Sequence, residues 1–88
     1  MTLKKIMVRL NELKLKVQYH QKQIELLNIN RCTLINAHEQ GMYDLITFTT
    51  EINKLENEIA LHTDLANKAQ IRHKELLTVY AHYLSGDM

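Results

Sequence analysis

The sequence predicts an all-α protein in which two long helices form an antiparallel coiled-coil hairpin. Hydrophobic residues recur at alternating spacings of three and four along nearly the whole chain, which is the pattern of a coiled-coil seam. The 88 residues include no proline. The only glycine before residue 86 is Gly41, close to the middle of the chain, where a turn between two helices of similar length would fall.

Length and composition indicate one small folded domain. Hydrophobic residues make up 45% of the chain and charged residues 24%, which is typical of a globular rather than a disordered protein. We therefore expect a single helical-hairpin domain over residues 1–88. Its helices should cover about residues 2–38 and 44–84, with a turn at about 39–43.

The first predicted helix begins at Thr2, whose side chain can accept a hydrogen bond from an otherwise free N–H of the first turn. One row of side chains then repeats at spacings of three and four without a break. We call this row, with its counterpart on the second helix, the seam. Its only polar members on this helix are His20 and Arg31. The row comprises Leu3, Ile6, Leu10, Leu13, Val17, His20, Ile24, Leu27, Arg31 and Leu34.

A second hydrophobic row lies on the opposite side of the first helix. The outer face of a solvated helix does not usually carry so much apolar surface in one line. Scattered exposed aliphatic side chains are common on folded proteins, and that is the alternative interpretation. We favour a contact surface, covered by another copy or by a different protein, which would complete the hairpin into a bundle. This back row comprises Val8, Leu15, Tyr19, Leu26 and Ile29.

The central segment favours a turn but leaves an alternative open. Gly41 can adopt the left-handed conformation that ends a helix, and Asp44 can cap the next one. The heptad pattern nevertheless continues through this segment, so that one continuous helix is the competing prediction. A glycine on the seam of such a helix would cost about 1 kcal/mol in helix propensity and leave a hole. The hairpin is therefore preferred.

The second predicted helix has a seam of its own. If the chain reverses at residue 39 or 40, the seam residues pair in one register, in which Leu34 faces Leu45 and His20 faces Ile59. In this register Tyr80, Tyr83 and Leu84 extend beyond the first helix, where tyrosines are typical interface anchors; folding over the open end is the alternative. The second seam comprises Leu45, Phe48, Ile52, Leu55, Ile59, His62, Ala66, Ala69, His73, Leu76, Tyr80 and Tyr83.

The charge distribution also favours placing the two halves side by side. Residues 1–40 carry seven basic and three acidic side chains, whereas residues 41–88 carry four basic and seven acidic ones. The first half therefore carries a net charge of +4 and the second −3, so the two halves attract each other. Because the lysines are spread around the first helix rather than gathered on one stripe, nucleic-acid binding by this basic helix is the less favoured alternative.

No catalytic or metal-binding pattern is found. Three histidines and one arginine fall on the seam, and we interpret them as polar residues that set the register, like a buried Asn in a zipper. A pH-sensitive contact or a shared metal ion between His20 and His62 is the alternative. No His or Cys pair has zinc-ligand spacing, and Cys32 has no base at a helical spacing. We expect no cofactor, no metal and no enzymatic activity. The register-setting residues are His20, Arg31, His62 and His73.

The function predicted is therefore that of a non-catalytic protein–protein interaction module of the adaptor, chaperone or inhibitor type. It would pack against a partner protein or another copy; a small dimeric helical-bundle regulator that binds nucleic acid is the alternative. The lone cysteine, the lack of a signal-peptide pattern and the lack of a membrane span predict a cytoplasmic location away from membranes. In shape alone the hairpin resembles small bacterial co-chaperones of type III secretion and RNA-binding plasmid copy-control proteins. The predicted partner-binding residues are Val8, Leu15, Tyr19, Leu26, Ile29, Tyr80, Tyr83 and Leu84.

Overall fold

A computed structural model describes residues 2–86 of the chain. It contains two helices, α1 at Leu3–Glu39 and α2 at Leu45–Ser85. They pack against each other in a rod that measures 64 × 15 × 14 Å. The predicted all-α hairpin is confirmed. The competing prediction of one continuous helix is wrong, because a helix through residues 3–85 would be about 120 Å long.

Each helix begins and ends at a residue suited to that position. The Thr2 hydroxyl accepts a hydrogen bond from the Lys5 N–H at 3.2 Å, and the Asp44 carboxylate accepts one from the Thr47 N–H at 2.7 Å. The second of these bonds holds the pKa of Asp44 below its ordinary value. Gly41 and Gly86 both adopt positive φ, +78° and +76°, which glycine tolerates better than any residue with a Cβ atom.

The turn is closed by a Schellman motif at the end of α1. The Met42 N–H donates to the Ala37 carbonyl at 3.0 Å, and the Gly41 N–H donates to the His38 carbonyl at 2.9 Å. These two bonds satisfy carbonyls that the helix end would otherwise leave free. The chain consequently reverses after Gly41, slightly later than the predicted reversal at residue 39 or 40.

The core is a single line of side chains between the two helices. The buried residues of α1 are spaced seven apart, so one heptad position points directly at α2. On α2 the buried residues are two alanines, whose small side chains let the helices approach. Every buried residue belongs to the predicted seam, and most of the other seam residues are half-buried. The buried set is Ile6, Leu13, His20, Leu27, Ala66 and Ala69.

The register differs from the predicted one by about one heptad. The prediction places Arg31 opposite Phe48, but His38 stacks on Phe48, with ring centroids 4.0 Å apart. Arg31 instead reaches Glu56, with Nη2 3.6 Å from Oε1. The predicted pairings of Leu34 with Leu45 and of His20 with Ile59 are therefore wrong. The physical reason is the later reversal, which moves the point of symmetry from residue 39 or 40 to the middle of the turn.

This shift changes both ends of the hairpin. Leu45, expected to face Leu34, comes level with Gly41 instead and remains exposed. At the open end Tyr80 comes level with Ile6, which has no solvent exposure. The 41 residues of α2 account for about 60 Å of the long axis. The predicted extension of Tyr80, Tyr83 and Leu84 beyond α1 is therefore wrong.

Candidate interaction surface

The back row lies along the outer side of α1, although the ring of Tyr19 also comes within 6.3 Å of the ring of His62 on α2. Its five side chains are each about half exposed, from 46% for Leu26 to 57% for Tyr19. Their spacing keeps them in one line, because residues three, four and seven apart share a helix face. From Val8 to Ile29 this line is about 32 Å long. The structure thus contains a long, narrow apolar strip the width of one helix face.

The polar part of the seam is centred on two histidines. Nδ1 of His20 lies 2.8 Å from Nδ1 of His62, and His20 is 7% exposed. Because one nitrogen must donate and the other accept, this hydrogen bond requires at least one uncharged ring. The ring of Tyr19 lies edge-on to both histidines, at centroid distances of 5.1 and 6.3 Å. Desolvation, and then the positive charges of His62 and Lys16, lower the pKa of His20.

The other two residues predicted to set the register behave differently. The Arg31–Glu56 pair is about half exposed on both sides, so it contributes little to stability. Within residues 2–86, Nε of Arg31 is buried and has no hydrogen-bond partner. His73 is half-buried on the seam of α2. Of the four polar seam residues, the structure therefore joins only His20 and His62 directly.

A flank of the open end was missed by the sequence analysis. Met7, Leu77 and Leu84 each follow a seam residue by four positions, which places them on the same side of an antiparallel pair. Their exposed fractions are 53%, 44% and 63%. Leu84 was predicted as a contact residue, but Met7 and Leu77 were not. The spacing of these three residues from the seam is visible in the sequence. It indicates that they share one flank only once the register of the two helices is known.

Folding also sorts charge along the rod, which a comparison of the two halves of the sequence could not reveal. The half at the open end has nine basic and three acidic side chains in its described residues, 2–22 and 64–86. The half that contains the turn, residues 23–63, has two basic and six acidic ones. The open half therefore carries +6 and the turn half −4. The hairpin is an electrical dipole along its long axis.

Comparisons of the chain with protein-family models, with curated proteins and with solved structures found no match. Among residues 2–86, no group of three or more His, Cys, Asp or Glu side chains is placed to hold a metal ion. Neither described helix has a segment long and apolar enough to cross a membrane. The free thiol of Cys32 is exposed.

Proposed function

We propose that this chain is a non-catalytic protein–protein interaction module, of the adaptor, chaperone or inhibitor type, that binds through the back row. One observation carries the proposal: five large apolar side chains, each about half exposed, form one line along the outer side of α1. Apolar surface in contact with water is unfavourable, and a covering helix removes it. A strip this narrow suits an amphipathic helix as its occupant.

The thinness of the hairpin supports the same proposal. Only five apolar residues are buried in the described part of the chain, and two of them are alanines. Such a small core offers limited compensation for the conformational entropy lost when two long helices are ordered. A helix laid over the back row would remove apolar area from water at roughly 25 cal/mol per Å². Binding would therefore stabilise the hairpin as well as attach the partner.

A double substitution within the back row tests this proposal. Leu15→Asp with Leu26→Asp places two charges where the partner should sit, so binding should fall by at least tenfold. The matched control is Gln21→Asp with Asn28→Asp, which adds the same charges to exposed positions of α1 outside the row. Association is measured by light scattering and by capture of proteins from the native host, with circular dichroism to verify the helices. Equal association of the wild type and both variants would contradict the proposal.

The charge on the open half favours a second candidate, a dimeric nucleic-acid-binding regulator. Its net charge of +6 would attract a phosphate backbone. Such binding must weaken steeply with salt and with Lys→Ala changes at positions 4, 5, 14 and 16. Binding through the back row should respond little to either. Recovery of salt-sensitive nucleic acid without a co-purifying protein would support this candidate over the first.

A further inference from the structure

We propose that the occupant of the back row is a second copy of this chain, with the two α1 helices antiparallel about a twofold axis level with Val17. The inference rests on the proposed function and names the partner for that surface. Two charged residues, Glu12 and Lys22, lie on the same face between the apolar members, and both are exposed. From Lys5 onward the face reads Lys5, Val8, Glu12, Leu15, Tyr19, Lys22, Leu26, Ile29.

This face is itself a coiled-coil repeat. Its members alternate at spacings of four and three, as the seam does, but they lie on the opposite side of the helix. A helix with two such stripes can pack against two neighbours at once. The seam already has α2 as its neighbour, and the second stripe is the one that remains exposed.

The face complements itself when two copies are placed antiparallel. With the twofold axis level with Val17, Val8 faces Leu26 of the second copy. Leu15 faces Tyr19 of the second copy in the same way. The two charged residues then face each other, Glu12 of one copy against Lys22 of the other. Because a twofold axis repeats every contact, the interface would contain four apolar pairs and two ion pairs, with Ile29 against Lys5 of the other copy at each end.

Other arrangements lose this match. A register shifted by one heptad, with the axis nearer the amino termini, sets Lys5 against Lys22 and Glu12 against Leu15. A register shifted by one heptad the other way, with the axis nearer the turn, sets Glu12 against Ile29. A parallel pair sets Glu12 against Glu12 and Lys22 against Lys22. Like charges in contact, and charges facing apolar side chains, are both unfavourable, so the sequence of this face selects one orientation and one register.

The charge along the rod favours the same orientation. An antiparallel pair about Val17 sets residues 23–32 of each α1 beside residues 2–11 of the other, so that part of the negative turn half lies beside the positive open end, whereas a parallel pair sets like beside like. Two kinds of contact oppose association. Ile29 faces Lys5 of the second copy at each end of the interface, and Lys16 comes near its own counterpart beside the axis. Its long side chain can carry the ammonium group outward to water. The two ion pairs lie nearer the ends of the contact and are unaffected by it.

Charge exchange tests the pairing. Wild-type chains of 10.4 kDa should approach twice that mass as concentration rises. Glu12→Lys, or Lys22→Glu alone, sets like charges together at both sites and should weaken the dimer by about tenfold or more. The double variant restores both pairs with their signs exchanged, and its dissociation constant should return close to the wild-type value. Glu39→Lys, which makes the same charge change outside the contact, serves as the control and should leave the dimer unchanged.

The single native cysteine tests the orientation. Spin labels on exposed Cys32 should lie about 45 Å apart in the antiparallel dimer, because each is 15 residues from the axis. In a parallel dimer they would lie within about 20 Å. A label moved close to the axis, with Cys32→Ser and Gln18→Cys, should give a short distance instead. A long distance between labels on Cys32, together with a short distance between labels on the Gln18→Cys variant, supports the proposal.

The remaining outcomes separate this inference from the proposed function. A dimer with a short Cys32–Cys32 distance that still dissociates with Leu15→Asp and Leu26→Asp overturns the antiparallel pairing but leaves the back row as an interface. A chain that stays monomeric at every concentration also overturns the inference, and capture of a different protein through the back row would then sustain the function. A dimer insensitive to that double substitution overturns both.

Discussion

The two apolar rows of α1 are alike in composition and opposite in environment. Leu13 on the seam is 3% exposed, whereas Leu15 on the back row is 56% exposed. Intrinsic hydrophobicity does not distinguish these two leucines; the presence of α2 over one of them does. The difference teaches that heptad spacing alone does not decide burial. Both rows have that spacing, but only the seam has the second helix packed over it.

The largest expected effect comes from the same substitution made in each row. Leu13→Ala should lower the free energy of unfolding by about 2–5 kcal/mol, because it leaves a cavity between the helices. Leu15→Ala should change it by about 0.5 kcal/mol or less in dilute solution, because the side chain is already half in water. Urea unfolding followed by circular dichroism measures both values. Equal losses would break the distinction between the two rows.

A smaller effect should come from the turn, which sets the register and thereby decides which side chains are covered. Gly41→Ala should lower the free energy of unfolding by about 1–2 kcal/mol, because an L residue is strained at positive φ. No atom lies within 4 Å of the position that the new Cβ would take, so the loss would report backbone strain alone. Met42→Ala, at an exposed neighbour, should change the unfolding free energy little. A neutral Gly41→Ala would contradict the role given to the turn.

The smallest effect should be a dependence of stability on pH, confined to the seam. The pKa of His20 is lowered by desolvation, by His62 and by Lys16, so the unfolded chain binds a proton more readily than the hairpin does. Stability should be full above the unfolded pKa of about 6.5. It should decline as pH falls below that value and level off once pH passes below the lowered folded pKa. Urea unfolding over this range should show the decline in the wild type, and His20→Gln should flatten it.

His73→Gln is the matched control for that pH series. It removes another seam histidine while leaving the His20–His62 hydrogen bond in place, so most of the decline should persist. A decline that is equally strong in His20→Gln would assign the pH dependence to other groups. An increase of stability on acidification would contradict the direction of the pKa shift.

How much could be predicted from the sequence varies from one feature to another. Seam membership follows from spacing, and the ends follow from Thr2, Asp44 and Gly86, because capping is local chemistry. The register could not be predicted in the same way. A heptad repeat is unchanged by a shift of seven residues, so spacing alone allows more than one register. The observed register depends on where the turn closes at Gly41 and on the stacking of His38 on Phe48, and the spacing of hydrophobic residues encodes neither.

The candidate surface could likewise be predicted from the sequence only in part. The exposed face of α1 could be predicted, because it depends on one helix alone. The flank formed by Met7, Leu77 and Leu84 and the charge difference between the two ends could not, because both require the two helices to be aligned. Features that combine two elements therefore depend on the register, which is the part that the sequence specifies least.

The most direct test of the central claim compares two leucines that are equally exposed in a single hairpin. Leu15 on the back row and Leu61 on α2 are both 56% exposed, so oxidative footprinting read by mass spectrometry should label them equally in dilute solution. Where the protein is assembled, by raising its concentration or adding a bound partner, labelling of Leu15 should fall severalfold while that of Leu61 persists. An unchanged ratio of the two in an assembled sample would contradict the claim that the back row is the contact surface.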